Sequence, residues 1–194
     1  MEETAKTKGN TEGDSDTEAP EAPKEFPGKD LRDLIDREFP GAILEESAFK
    51  DLEDEVTFIL KIDAWRKVAV FMRDHPSSKF VLLTDLTAAH YPEEEEPFQI
   101  ICQMVSLEHN RSLRLKVKIK EGVSVPSLSG IWSSANWMER EIWDLYGIPF
   151  QDHPDLRRIL LPRDWGGHPL RKDYPLEGRR ERVYEKPKRK EIGE

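Results

Sequence analysis

Cysteine is nearly missing from this sequence, with Cys102 the single thiol in 194 residues. A disulfide within the chain is thereby excluded, and an iron–sulfur cluster or structural zinc site built from its own thiolates lacks a ligand set. No apolar run approaches the roughly 20 residues that cross a bilayer. The acidic start has neither a signal-peptide pattern nor the Arg-rich character of a transit peptide. These absences predict a soluble, cytoplasmic chain. No GxGxxG or P-loop pattern occurs, and the Trp165-Gly166-Gly167-His168 turn is not a nucleotide loop.

Charge is plentiful instead. The 39 acids outnumber the 30 bases, and the net charge of -9 argues against a general nucleic-acid binder. The distribution is uneven: residues 1–25 hold eight acids and three bases, residues 176–194 seven bases and five acids. Residues 1–29 have almost no apolar content, so burial cannot offset their ordering entropy. They are expected to form a disordered acidic extension. The remainder divides into one α/β core domain, expected over 30–147, and an arm over 148–194.

Hydrophobic spacing predicts the elements of the core. Asp30 is expected to cap a helix carrying Leu31, Leu34 and Ile35, stopped by Pro40-Gly41 and followed by a charged link. Glu55–Ile62 alternates as a strand, and Asp63 is expected to cap a helix bearing Trp65, Val68, Ala69 and Met72, ended by His75-Pro76. Three strands are predicted at Phe80–Thr87, Phe98–Leu107 and Leu113–Lys120, the last two joined by a hairpin at His109-Asn110-Arg111. A helix over about Leu128–Tyr146, in two pieces around Ser133-Ser134, is closed by Gly147 as a left-handed cap and by Pro149. This order predicts an α+β fold resembling a split βαβ sandwich with a mostly antiparallel sheet.

Residues 148–194 hold six prolines among arginines and scattered leucines, without periodicity. Structureless loops of that length are uncommon inside a compact domain, so the segment reads as an extended arm whose partner surface lies on another chain. In the preceding helix, Glu139, Arg140, Glu141 and Asp144 do not converge at 3.6 residues per turn, which favours charge pairing over an acid/base or metal site. His153 and His168 have no short-spaced ligand partner. The basic clusters interleaved with Trp165, Tyr174 and Tyr184 loosely mimic an RNA-binding tail, but each has acids nearby, which weakens that reading.

Trp137-Met138-Glu139-Arg140-Glu141-Ile142-Trp143-Asp144-Leu145-Tyr146-Gly147-Ile148 resembles the signature helix of the 30 kDa-type subunit family of respiratory NADH:quinone oxidoreductase, complex I. The stretches His153–Leu160 and Asp164–Leu176 resemble that family's C-terminal arm. The likeness is strong over about 131–176 and limited to element order over 30–121. Asp152 departs from it, standing where the family commonly has glycine.

The resemblance implies a non-catalytic structural subunit of the peripheral arm, packed against the quinone-site subunit at the cytoplasmic face of the inner membrane. It implies no cofactor in this chain, with FMN and iron–sulfur clusters in partner subunits. Contact residues expected from the motifs are Trp137, Glu139, Arg140, Glu141, Asp144, Gly147, His153, Pro154, Asp155, Arg157, Arg158, Trp165, His168, Pro169, Arg171, Lys172, Asp173 and Tyr174. The helix's charged residues are expected to pair with Arg157 and Arg158, while Arg171, Lys172 and Asp173 meet the partner. Related complexes fed by ferredoxin, F420 or plastoquinone chemistry, and membrane-bound hydrogenases, use similar subunits and stay open as alternatives. An RNA-binding module is the alternative of another class.

Overall fold

The computed structural model describes residues 28–48, 55–175 and Glu177. Apart from these, the acidic extension and the basic tail lie outside the described residues.

Helix α1 (Lys29–Glu38) buries Leu31 and Ile35. Helix α2 (Ile62–Asp74) buries Trp65, Val68, Ala69 and Met72, an i, i+3, i+4, i+7 set that lines one stripe. Neither helix starts as expected. Asp30 and Asp63 sit inside the first turns, and the N-caps are Gly28 and Lys61, without side-chain capping bonds. Both carboxylates still meet the positive end of a helix dipole. Asp30 is also held by Arg111, whose Nη2 donates to its Oδ1 at 2.9 Å. α2 stops at His75, which is extended ahead of Pro76.

Five strands form one sheet: β1 (Ile43–Ala48), β2 (Glu55–Leu60), β3 (Leu82–His90), β4 (Phe98–Ser106) and β5 (Arg111–Ile119), in the order β1-β2-β5-β4-β3. β2 and β5 are parallel and the other neighbours antiparallel. Since β5 and β4 lie between β2 and β3, α2 connects strands that do not touch. The fold is the expected α+β split arrangement.

β1 occupies the stretch read as a charged link. Its register breaks between Ile43 and Glu45, and Leu44 is 54% exposed, so no alternation marks it as a strand. β3 runs past Thr87 to His90, and Phe80 lies buried ahead of it. On β5, Leu113, Leu115, Val117 and Ile119 all face the core, as their alternation predicts. The hairpin before β5 turns at Asn110, φ 47°, and Arg111 already belongs to the strand.

The helix expected from Leu128 begins later. Residues 128–134 make turns, with Ile131 N–H donating to the Leu128 carbonyl at 2.8 Å, and α3 spans Ala135–Tyr146. It packs along β3 and ends at Gly147, φ 78°, as the left-handed cap. Two short strands, β6 (Val125–Pro126) and β7 (Phe150–Gln151), were not expected and pair in parallel on either side of α3 in the chain.

Leu115, fully buried on the strand between β2 and β4, is a sensitive point of this core. Leu115→Ala is expected to cost about 2–5 kcal/mol in chemical denaturation. Lys116→Ala, on the opposite face of the same strand, should stay within about 0.5 kcal/mol.

Candidate functional site

The C-terminal segment does not project away from the domain: its described part folds back on α3, and one carboxylate organises it. Asp144 is fully buried. Its Oδ2 accepts three successive backbone N–H groups, from Ile159 at 3.0 Å, Leu160 at 2.8 Å and Leu161 at 2.8 Å. Its Oδ1 takes the Arg158 guanidinium at 2.6 Å. Burial opposes ionisation, but the Leu161, Leu160 and Ile159 N–H groups and Arg158 outweigh it and hold the carboxyl below its ordinary range.

Arg158 and His168 extend the grip. Arg158 Nη2 donates to the carbonyls of Trp165 at 2.8 Å and Gly167 at 3.1 Å, and its guanidinium lies 5.7 Å over the Trp143 ring. His168 Nδ1 donates to the Asp144 carbonyl at 2.9 Å. Its ring fills the space beside Gly147, where an added Cβ would lie 2.6 Å from Cδ2. Gly147 thus serves both the helix cap and this close approach. Leu170 N–H reaches the Leu145 carbonyl at 3.1 Å.

Farther on, Arg171 pairs with Glu121 at 2.5 Å and with Asp173 at 3.0 Å, and lies over the Phe98 ring. Lys172 N–H donates to His90 Nδ1 at 2.9 Å. Tyr174 covers Gly167, whose φ is 87°. The arm therefore spans from α3 to the end of β3.

Glu139 lies in a different environment on the same helix. Its fully buried carboxylate accepts Leu128 N–H at 2.6 Å and Ser127 Oγ–H at 2.6 Å. Burial pushes this carboxyl up to about 7 against the opposing effect of those two bonds and of Arg66. His153 Nε2 is 3.9 Å away, and both side chains are closed to solvent. The expected partnership of Glu139 with arm arginines is not formed; its hydrogen bonds go to the loop after β6.

Other expected residues separate by role. Arg140 lies 5.7 Å over the Trp137 ring and donates to the carbonyls of Arg157 and Arg158, at 3.1 and 3.2 Å. Arg157 pairs with Asp155 at 2.8 Å rather than with an α3 carboxylate. Glu141 and Pro154 are exposed, and Pro169 is half-buried. Trp137 is 65% exposed. Asp152 adopts φ 59°, so the left-handed turn forms although glycine is absent there. Sequence reasoning missed Ser127, Glu121 and His90: a lone serine or glutamate in a loop carries no pattern, and His90 lies beyond the expected end of β3.

This geometry describes an α+β unit with a pinned arm, a fold shared with a chain of the archaeal membrane-bound sulfane sulfur reductase, a respiratory membrane complex. That likeness has a TM-score of 0.64 at 21% identity, covering 77% of this chain and 86% of that one. The sequence is more specific: residues 58–180 match the model of the respiratory-chain NADH dehydrogenase 30 Kd subunit, and the chain belongs to that family. An NADH-quinone oxidoreductase subunit of Azorhizobium caulinodans is 43% identical over 150 residues, 77% of this chain and 70% of that protein. The same-named protein of Rhodospirillum rubrum is 40% identical over 157 residues, 81% and 72% of the two chains. NADH-ubiquinone oxidoreductase subunit 9 of Prototheca wickerhamii is 41% identical over 125 residues, 64% and 65% of the two. Among the described residues, no helix is long and apolar enough to cross a membrane, and no group of three or more His, Cys, Asp or Glu is placed to hold a metal ion.

Asp144→Asn should destabilise the arm by about 3 kcal/mol, because it leaves Arg158 without its buried counter-charge. Amide exchange at Ile159, Leu160 and Leu161 should accelerate accordingly. Because the folded carboxyl is lowered, the stabilisation from Asp144 is present above the ordinary carboxylate range and lost as pH falls through the folded value.

Gly147→Ala should cost about 1–2 kcal/mol from the left-handed backbone alone, with a further loss from displacing His168. Asp152→Gly should instead stabilise by up to about 1 kcal/mol. Thermal denaturation of the two variants checks both signs.

Proposed function

We propose that this chain is a non-catalytic structural subunit in the peripheral arm of a proton-translocating NADH:quinone oxidoreductase, where it holds the quinone-site subunit in place. The observation that carries this reading is the pinned arm with apolar side chains turned outward. Trp137, Leu160 and Leu170 are 65%, 60% and 47% exposed along the seam between α3 and the arm. Exposed Arg157, Arg163 and Lys172 accompany them. Aromatic and aliphatic anchors among cationic side chains match the composition of protein interfaces.

On this reading the subunit sits at the cytoplasmic face of the membrane through the complex alone, and FMN and the iron–sulfur clusters belong to its partners. Its contribution to electron transfer is positional: a neighbour that binds quinone needs fixed distances, and a rigid surface supplies them. Glu139 and Asp144 are buried and serve the chain's own fold, so contact with a partner falls to the exposed residues.

The test is affinity purification of the tagged full chain from its native membranes in mild detergent, with mass spectrometry of the partners and an NADH:quinone assay. The quinone-site subunit is expected with NADH-dependent activity. Trp137→Ala should weaken its recovery by the equivalent of about 2 kcal/mol, roughly 30-fold in affinity. Arg157→Glu should weaken it as well, both with unchanged melting of the chain itself. Arg171 is a poorer choice, since reversing it would break its bonds to Glu121 and Asp173. Recovery of a module for another electron donor would reassign the chain to a related complex. Unchanged recovery by both variants, or capture of RNA alone, would overturn the proposal.

A further inference from the structure

Glu139 is linked to the surface by hydroxyl groups. Its Oε2 is 2.6 Å from Ser127 Oγ, which is 2.6 Å from Ser129 Oγ. Ser127 is buried and Ser129 half-buried, so the chain of hydroxyls leads from the closed interior toward solvent. On the other side of Glu139, the His153 ring joins α3 to the root of the arm. Its Nε2–H donates to the Asn136 carbonyl at 3.1 Å, and its Nδ1 accepts Asp155 N–H at 3.1 Å.

We propose that Glu139, Ser127, Ser129 and His153 form a proton-controlled latch, in which Glu139 exchanges a proton with solvent through the two serines and its loss loosens the turn that starts the arm. The transfer balances one proton. The Glu139 carboxyl gives its proton to Ser127 Oγ, the Ser127 hydroxyl proton passes to Ser129 Oγ, and the Ser129 proton passes to water. The ionised carboxylate is then a stronger acceptor than a carbonyl for His153 Nε2–H, 3.9 Å away. A ring drawn to Glu139 leaves Asn136 and moves Nδ1 from Asp155 N–H.

The charged and titratable surroundings are consistent with a single titrating carboxyl. Arg66, on α2, acts on Glu139 and also lies 3.8 Å from Asp152 in the arm-root turn. Cys102 on β4 is raised first by its own burial and then by Glu139, so it stays a neutral thiol. β3, packed along α3, contributes His90, which is engaged by Lys172 N–H. The folded carboxyl is raised from 4.5 to about 7, so its contribution to stability is complete below 4.5 and is lost as pH rises through about 7. The latch is closed on the acid side and opens on the alkaline side.

Infrared difference spectroscopy of the purified full chain, titrated from about pH 5.5 to about pH 8.5, tests this directly. A protonated-carboxyl band should disappear with a midpoint near neutrality and be missing in Glu139→Gln. Hydrogen exchange of the arm-root amides, corrected for intrinsic pH dependence, should rise through the same midpoint in the wild type. In Glu139→Gln it should not respond to pH. Should that variant fail to fold, Ser127→Ala keeps the carboxyl but removes one donor to it, and must shift the midpoint upward. A wild-type chain without the titrating band, arm-root exchange that ignores the midpoint, or an unmoved midpoint in Ser127→Ala would each overturn the latch.

Discussion

The C-terminal half of the structure depends on one carboxylate accepting three consecutive backbone N–H groups. Residues 159–161 belong to no helix or strand, and half-buried N–H groups need acceptors. Asp144 supplies them from the last turn of α3, and Arg158 neutralises its charge. Arg158 and His168 then bind carbonyls on either side of the same helix end. A segment interrupted by proline and glycine thereby gains a fixed path without secondary structure of its own.

Two buried acids on one helix behave in opposite ways because their partners differ. Asp144 meets a guanidinium and three amide donors, and its charge is favoured. Glu139 meets one amide, one hydroxyl and an imidazole that has other acceptors, and burial prevails. The first is therefore a permanent anchor, and the second changes state near neutral pH. Helical spacing alone cannot separate these cases, since both residues belong to the same charged run in the sequence.

That limit explains which features are legible in the sequence alone. The alternation of Leu113, Leu115, Val117 and Ile119 and the helical stripe of Trp65, Val68, Ala69 and Met72 are legible because one face of each is buried. Gly147 is legible because a left-handed cap strongly favours glycine. β1 escapes because its irregular edge pairing leaves no alternation. The caps expected at Asp30 and Asp63 are displaced by one or two positions, a register that composition does not resolve. Asp144 and Arg158 pair as expected, whereas the burial of Glu139 depends on the loop at Ser127-Leu128, which is remote in sequence.

The internal grip on the arm also bears on how the proposed interface would work. A free, extended arm would lose backbone and side-chain entropy on meeting a partner, and that loss would subtract from affinity. Here Asp144, Arg158, His168 and His90 fix residues 158–172 within the chain itself. The outward Trp137, Leu160 and Leu170 are presented from backbone already ordered, so their burial can go largely into binding. Rigidity inherited from a buried carboxylate is what a positional subunit requires, and the same dependence makes the arm root the natural point at which a proton could alter it.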